Sequence, residues 1–185
     1  MPTIRSLLPL LALSAAAACG SDDNLPDPTE ENVVDTVTVG SLTDTPITTA
    51  SGFSVSFGPV RTDLSPDFDF AYDIQGDPVS GTRVLLPRAA LGILSSNAAE
   101  PGVLLRSEAF DDIEAAPSNG YVTEDAVPVA LGERYVVRSR VVCGIGVPLY
   151  AKVEIIGFDD NSLTLKVLAN TNCGYRGLEP GFPDR

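Results

Sequence analysis

The sequence contains no histidine and no tryptophan, and its only methionine is the initiator Met1. Without histidine it cannot form a Ser-His-Asp or Cys-His catalytic site, a histidine-based zinc site or a histidine-ligated haem. Lysine is also scarce, with two residues in 185, and the formal net charge is −13. Affinity for nucleic acid depends on Lys and Arg contacts to phosphate. We therefore expect no histidine-dependent catalysis and no nucleic-acid partner.

Catalysis by carboxylates alone is compatible with this composition, because a glycosidase needs only two acids and the chain has 25. However, tryptophan, a common platform for stacking a sugar ring, is missing. We expect a non-enzymatic protein and assign no catalytic residue.

The N-terminus has the architecture of a secretion signal. One arginine precedes a mostly apolar stretch, residues 7–18, and small residues lead to Cys19. The apolar stretch is shorter than the ~20 residues of a membrane-spanning helix. The letters AAAC that end at Cys19 resemble a bacterial lipobox, which implies that residues 1–18 are removed and that Cys19 is diacylated. The alternative is an ordinary signal peptide cut near Ala18, which leaves a free thiol.

The residue after Cys19 bears on the destination of the protein. In lipoproteins, by resemblance to known sorting rules, an aspartate directly after the acylated cysteine indicates retention at the inner membrane. This sequence has Gly20 at that position instead. More than one acyl chain is required for stable attachment to a bilayer. We therefore predict a lipid-anchored protein of the bacterial outer membrane that faces the periplasm or the exterior.

Acidic residues and prolines dominate the segment after Cys19, and no Lys or Arg occurs between there and Arg61. Such a composition buries too little apolar surface to order itself. We assign residues 19–50 to a flexible acidic tether and residues 51–185 to a single domain. Weak alternation in residues 33–50 leaves open an earlier start of the fold.

Apolar and polar residues alternate through much of the domain, which is typical of half-buried β-strands. Three consecutive strands are expected at residues 134–142, 149–158 and 163–169, as an antiparallel meander with one face on a core. The one helical candidate is residues 107–113. The pattern predicts an all-β protein, an antiparallel sandwich or partly open barrel with one or two short helices.

Cys143 and Cys173 follow the first and third strands of this meander, so both leave the sheet at the same end. These strands are about 9.6 Å apart, more than a disulfide spans, but the glycine-containing loops beyond them can converge. An even pair in an oxidising compartment favours a disulfide. The alternative is two buried free thiols, and two cysteines without histidine are too few ligands for zinc.

Four aspartates lie close together in residues 63–73, and three of them, Asp67, Asp69 and Asp73, share one face of a predicted strand. Their spacing does not fit an EF-hand loop, which needs a central glycine and a distal glutamate. We interpret them as the solvated face of a sheet rather than as a calcium site, and we predict no metal site.

The basic residues are concentrated in the meander. Five of them are expected on its outer face: Arg134, Arg138, Arg140, Lys152 and Lys166. This face is a candidate surface for binding an anionic ligand or the protein's own acidic segment. The alternative is a set of cross-strand pairs on a solubilising face.

Several segments together resemble a known family. They are residues 110–125 (FDDIEAAPSNGYVTED), 135–138 (YVVR), 150–155 (YAKVEI), 163–167 (LTLKV) and 68–74 (FDFAYDI). They look like the HmuY-like lipoproteins, secreted all-β proteins of which some capture haem. In the last segment Phe68 stands where that family has tryptophan. The resemblance implies a lipid-anchored binding domain of HmuY-like fold.

Haem-binding members of that family supply His or Met ligands from loops, and the chain after Cys19 has neither. No residue can be assigned as a haem ligand, and haem is an expectation from the resemblance alone. We expect a non-enzymatic domain that binds a porphyrin or another small ligand without such ligation. The alternative is a structural or interaction lipoprotein whose partner is another envelope protein.

Overall fold

The computed structural model describes residues 25–95 and 99–184, which form two antiparallel β-sheets packed face to face. The strands are β1 (Val34–Gly40), β2 (Gly52–Ser54), β3 (Gly58–Val60), β4 (Phe70–Gln75), β5 (Thr82–Pro87), β6 (Gly102–Arg106), β7 (Val127–Pro128), β8 (Arg134–Val141), β9 (Pro148–Asp159) and β10 (Ser162–Asn170). The long sheet has the order β1-β10-β9-β8-β6, and the short sheet has the order β3-β2-β4-β5-β7. The predicted all-β fold is confirmed, as an open sandwich rather than a closed barrel.

The main core lies between the two sheets. The long sheet contributes alternate residues such as Tyr135, Val153 and Leu165, and the short sheet contributes Phe53 and Phe70, whose rings stack with centroids 5.2 Å apart. Because successive side chains of a strand point to opposite faces, the alternation in the sequence selects this inner face. The predicted meander is confirmed, since β8, β9 and β10 begin and end within one residue of the expected bounds.

The outer face of the long sheet carries a second apolar layer. Residues 110–121 and 176–178, which we call the cover, lie across it, and Phe110 and Ile113 belong to the same buried cluster as Tyr150 and Leu168 of the sheet. The two segments of the cover are joined to each other by backbone hydrogen bonds of 2.6–2.8 Å. The long sheet is therefore buried on both faces over part of its area.

The predicted helix at residues 107–113 is reduced to a single 3₁₀ turn, Phe110–Asp112, with Ala109 rather than Ser107 at its N-cap. An isolated helix of seven residues is not stable by itself, and here the chain instead lies extended over the sheet. A second 3₁₀ turn spans Arg88–Leu91. The expectation of one or two short helices is met by these turns.

The predicted tether at residues 19–50 is wrong over most of its length. β1 is an edge strand of the long sheet and pairs with β10 over seven residues, and Val39 is fully buried. Leu25 to Asn32 also contact the domain. The acidic residues and prolines that suggested a tether lie mostly on the exposed side of this segment. Apolar side chains such as Val39 on its other side pack into the core. The predicted leader, residues 1–18, and Cys19 itself lie outside the described residues.

Cys143 and Cys173 form a disulfide, with their Cα atoms 5.7 Å apart, as predicted. β8 and β10 both end just before these cysteines, at the same end of the long sheet. Closing a loop with a sequence separation of 30 residues stabilises the fold by about 3–4 kcal/mol in the chain-entropy model.

Within the part of the chain that the structure describes, no helix is both long and apolar enough to cross a membrane.

Candidate functional site

The two lysines of the predicted basic face contact residues of the cover and are not free to bind a ligand. Lys152 is only 1% exposed, and its ammonium group donates a hydrogen bond of 3.0 Å to the carbonyl of Ile113. Burial lowers the pKa of Lys152. The ammonium groups of Lys152 and Lys166 lie 4.8 Å and 4.1 Å from the ring centroid of Phe110, and Lys166 also pairs with Asp111 at 3.3 Å. The prediction that Lys152 lies on an accessible outer face is therefore wrong.

Arg138 and Arg140 are also engaged within the protein. The guanidinium of Arg138 lies 4.6 Å from the ring centroid of Tyr121 and donates to the carbonyl of Glu100 at 2.8 Å. A bulge between Arg138 and Val141 breaks the regular alternation of β8. Arg140 pairs with Asp67, which precedes β4 in the other sheet, at 3.1 Å. The five basic residues are therefore not brought together as one surface.

Arg134 is the exception among the five. Its guanidinium has no hydrogen-bond or ion-pair partner among the described residues, and its Nε is buried. In the register of the long sheet it lies between Arg106 of β6 and Glu154 of β9. Within residues 25–95 and 99–184, the carboxylate of Glu154 forms no ion pair with Arg134, and Arg106 carries the same charge. Two arginines thus stand side by side at one end of the sheet, and one of them is unpartnered.

A groove of about 410 Å³ opens at this position, and we call it the Arg134 groove. It is lined by Leu105, Arg106, Ser107, Gly132, Glu133 and Arg134. Its volume falls in the range of small-molecule sites, roughly 300–1,000 Å³. Leu105 is 55% exposed, so the groove has an apolar wall next to its cations.

The carboxylates closest in sequence to the groove are already occupied. Glu108 accepts two hydrogen bonds from Arg106, which lowers the pKa of Glu108 to about 2. Glu133 accepts hydrogen bonds from the backbone of Ala130 at 2.8 Å and from the hydroxyl of Tyr135 at 2.7 Å. Burial, together with this contact to Glu133, raises the pKa of Tyr135. The guanidinium of Arg134 is left free to bind a carboxylate or phosphate group, for which its planar fork is suited.

The aspartates predicted to form a solvated face are mostly buried, so that interpretation is wrong. Asp69 is 1% exposed and accepts hydrogen bonds from the backbone N–H groups of Val55 and Arg140. Asp73 accepts bonds from the hydroxyl groups of Ser41 and Thr43 at 2.7 Å and 2.8 Å. These carboxylates bind loop segments to the sheets because each satisfies donors that would otherwise be buried without partners. Across the described ranges, no group of three acidic, cysteine or histidine side chains is placed to hold a metal ion.

A second, smaller cleft lies between the sheets beside β1. It has a volume of about 120 Å³ and is lined mainly by apolar residues of β1, β2 and β10. This volume is well below that of a site for a porphyrin.

Cysteine and tyrosine can also ligate haem, but Cys143 and Cys173 are joined in a disulfide and the tyrosines are poorly placed. The hydroxyls of Tyr121, Tyr135 and Tyr175 all donate hydrogen bonds to groups of the protein. The hydroxyl of Tyr72 has no hydrogen-bond partner among the described residues, but Tyr72 is fully buried, and Tyr150 is only 7% exposed. The residues that the structure describes therefore do not fit haem.

The sequence analysis missed part of the site. It identified Arg134 but not Arg106, because β6 was not predicted as a strand and the β6–β8 register that brings the two arginines together depends on that strand. The short run of apolar residues after Gly102 was the available signal for β6.

Compared with protein-family models, with curated proteins and with solved structures, this chain has no match.

Proposed function

We propose that this chain is a lipid-anchored, non-enzymatic protein of the bacterial outer membrane whose HmuY-like β-domain binds a small anionic ligand. Cysteine usage supports the anchor. The disulfide between Cys143 and Cys173 fits an oxidising compartment, and Cys19, the third cysteine, ends the lipobox-like sequence. Two acyl chains on Cys19 supply the stable attachment that one chain does not.

The anchor is tested by expressing the full chain and the Cys19→Ala variant in a bacterium and fractionating the cells. We expect the parent chain in the outer-membrane fraction, with a mass that shows residues 1–18 removed and Cys19 acylated. The variant should leave the membrane fraction. An unacylated mature N-terminus, or equal membrane partition of both proteins, would contradict the anchor.

The observation that carries the binding function is the unpartnered guanidinium of Arg134 in a groove of about 410 Å³. A carboxylate or phosphate group can accept two parallel hydrogen bonds from a guanidinium, and a short apolar chain can contact Leu105 beside it. The chemistry of the groove therefore favours a small ligand with one anionic group and a short apolar part.

Calorimetric titration with hexanoate tests this ligand class, with neutral hexanamide as the ligand control. We expect hexanoate to bind and Arg134→Gln to weaken it about tenfold or more, since a hydrogen bond to a charged group contributes about 1.5–3 kcal/mol. Arg61→Gln is the matched control, because it removes the same charge from an exposed pair with Asp63. Equal affinities of the two variants for hexanoate would refute the assignment.

A porphyrin has less support than a small anion. The inter-sheet cleft is small, the hydroxyls of Tyr121, Tyr135 and Tyr175 are engaged, and Tyr72 is fully buried. On titration with haem, we expect no Soret shift of the six-coordinate type. Such a shift would establish haem as the ligand and displace the anion proposal.

The second candidate is an interaction lipoprotein, and the open edge of β1 favours it. Backbone hydrogen bonds to other segments cover this edge at Asn32 and at Gly40. Between them Val34 is 40% exposed, and Phe57 of the neighbouring loop is 68% exposed. An exposed strand edge can accept a strand from another protein. A photoreactive residue at position 34 should cross-link an envelope protein in intact cells if this candidate is right.

A further inference from the structure

The N-terminal segment ahead of β1 is held against the C-terminal segment of the domain. The carbonyl of Pro26 accepts a hydrogen bond of 2.9 Å from the hydroxyl of Tyr175. Leu25 packs on Gly174, where the backbone has a φ of +86° and any Cβ would collide with the leucine side chain. Glycine is therefore required at position 174 for both its conformation and its lack of a side chain.

Asn172 makes the central contacts of this arrangement. Its side-chain oxygen accepts hydrogen bonds from the backbone N–H groups of Thr29 and Glu30 at 2.8 Å and 3.1 Å, and its side-chain nitrogen donates to the carbonyl of Glu30 at 2.8 Å. A pair of backbone hydrogen bonds between Asn32 and Gly181 follows. Asn172 is buried and adjoins the disulfide-bonded Cys173. We call residues 25–32 together with residues 170–181 the clasp.

The clasp and the Arg134 groove lie at opposite ends of the long sheet. β1 begins and β10 ends at the clasp, whereas β6 ends and β8 begins at the groove, and all neighbouring strands are antiparallel. Strands of seven to nine residues separate the two ends by about 25–30 Å.

We propose that the clasp fixes the orientation of the domain on the membrane, with the clasp end towards the bilayer and the Arg134 groove directed away from it. This inference rests on the proposed lipid anchor at Cys19. From Cys19 to Leu25 a fully extended chain reaches about 20 Å at most. If residues 25–32 were free, the reach to β1 would be about 50 Å, which exceeds the length of the sandwich and permits any orientation.

The clasp end carries a net negative charge, so electrostatic attraction does not hold it on an anionic membrane. Five exposed acids and one exposed cation, Arg176, surround it; the acids are Asp27, Glu30, Glu31, Glu179 and Asp184. An anionic bilayer surface repels such a cluster within about one Debye length, roughly 8–10 Å. The short connection therefore holds the clasp end near the bilayer against this repulsion, and the repulsion keeps that end from adhering to the lipid surface.

Energy transfer to the membrane tests this orientation on the acylated full-length protein. In that protein Cys19 is blocked by the acyl group and the other two cysteines by the disulfide, so one introduced cysteine can be labelled alone. The variants are Glu179→Cys at the clasp and Asp160→Cys at the β9–β10 turn, which each remove one exposed negative charge. Both labelled proteins are reconstituted in vesicles of phosphatidylethanolamine and phosphatidylglycerol that contain an acceptor dye.

We expect transfer efficiency about twofold higher from position 179 than from position 160, given the separation of the two ends. Equal or reversed efficiencies in acylated protein would overturn the orientation while leaving the anchor intact. Absence of the acyl mass and of flotation with vesicles would instead overturn the anchor, and the orientation with it.

Two further variants of the position-179 protein test the clasp itself. Asn172→Ala should lower transfer towards the value at position 160, because the lost hydrogen bonds release residues 25–32. Insertion of eight Gly and Ser residues between Asn24 and Leu25 should have the same effect while every clasp contact is kept, and so does not depend on the folding of the first variant. Unchanged transfer after the insertion would show that the short connection does not set the position of the domain.

Discussion

The two ends of the sandwich use polar side chains in opposite ways. At the clasp, Asn170 and Asn172 are buried, and their side chains hydrogen-bond to backbone and to each other. At the groove, the guanidinium of Arg134 has no such partner in the described part of the chain. Buried groups with partners hold a fold together, whereas an unpartnered cation in a groove is available to a ligand. The clasp should therefore contribute mainly to stability, and the groove mainly to binding.

Removal of the disulfide should have the largest effect on the clasp. The double variant Cys143→Ala, Cys173→Ala should lose about 3–4 kcal/mol of unfolding free energy, because the unfolded chain regains the freedom of the 30-residue loop. Urea denaturation measures this loss, and the parent protein under reducing conditions is the control and should show the same change. A loss below about 1 kcal/mol would show that the clasp does not depend on the covalent link.

Asn172→Ala should have the next largest effect. The substitution removes three part-buried hydrogen bonds to the backbone of Thr29 and Glu30, at a cost of about 2–3 kcal/mol. Hydrogen exchange at the amides of Thr29 and Glu30 should accelerate in parallel. Thr171→Ala, at the exposed neighbouring position, is the matched control and should change little. Unchanged exchange in the first variant would contradict the role of Asn172.

Asp69 adds a pH-dependent contribution at the clasp end. Burial raises its pKa from 3.8 to about 6, against the lowering effects of the Val55 and Arg140 N–H groups and of the Arg140 and Arg88 charges. Between these values the folded protein binds more protons than the unfolded chain. Stability from this group is therefore present below pH 4 and falls by about 2–3 kcal/mol as the pH rises through 6.

Urea denaturation of the parent protein and of Asp69→Asn from pH 4 to pH 7 isolates this contribution. The advantage of the parent over the variant should shrink as the pH rises, because only the parent has the titrating carboxyl group. Other carboxylates contribute equally to both proteins and cancel in the difference. A difference that stays constant over this range would show that Asp69 is ionised throughout in the folded state.

The sequence was informative where a pattern is local and uninformative where partners are distant. The meander and the pairing of Cys143 with Cys173 follow from alternation and from strand direction, both of which are visible in one stretch of sequence. The clasp joins Thr29 to Asn172 across 143 positions, and a net acidic composition obscured it. Asp69 and Lys152 were assigned to solvent because charged residues usually are exposed, yet each has buried backbone partners that only the tertiary fold supplies.

Arg134→Gln should give the smallest change in stability and so sharpen the contrast between the two ends. Its guanidinium makes no hydrogen bond in the described residues and its Nε is buried, so the variant should lie within about 0.5 kcal/mol of the parent in unfolding free energy. Asn172→Ala should show the reverse pattern, with lower stability but retained hexanoate affinity in conditions where it is folded. A loss of more than about 1 kcal/mol of unfolding free energy in Arg134→Gln would show that the arginine stabilises the sheet, for example by a cross-strand contact with Glu154. That result would contradict the assignment of the groove as a binding site.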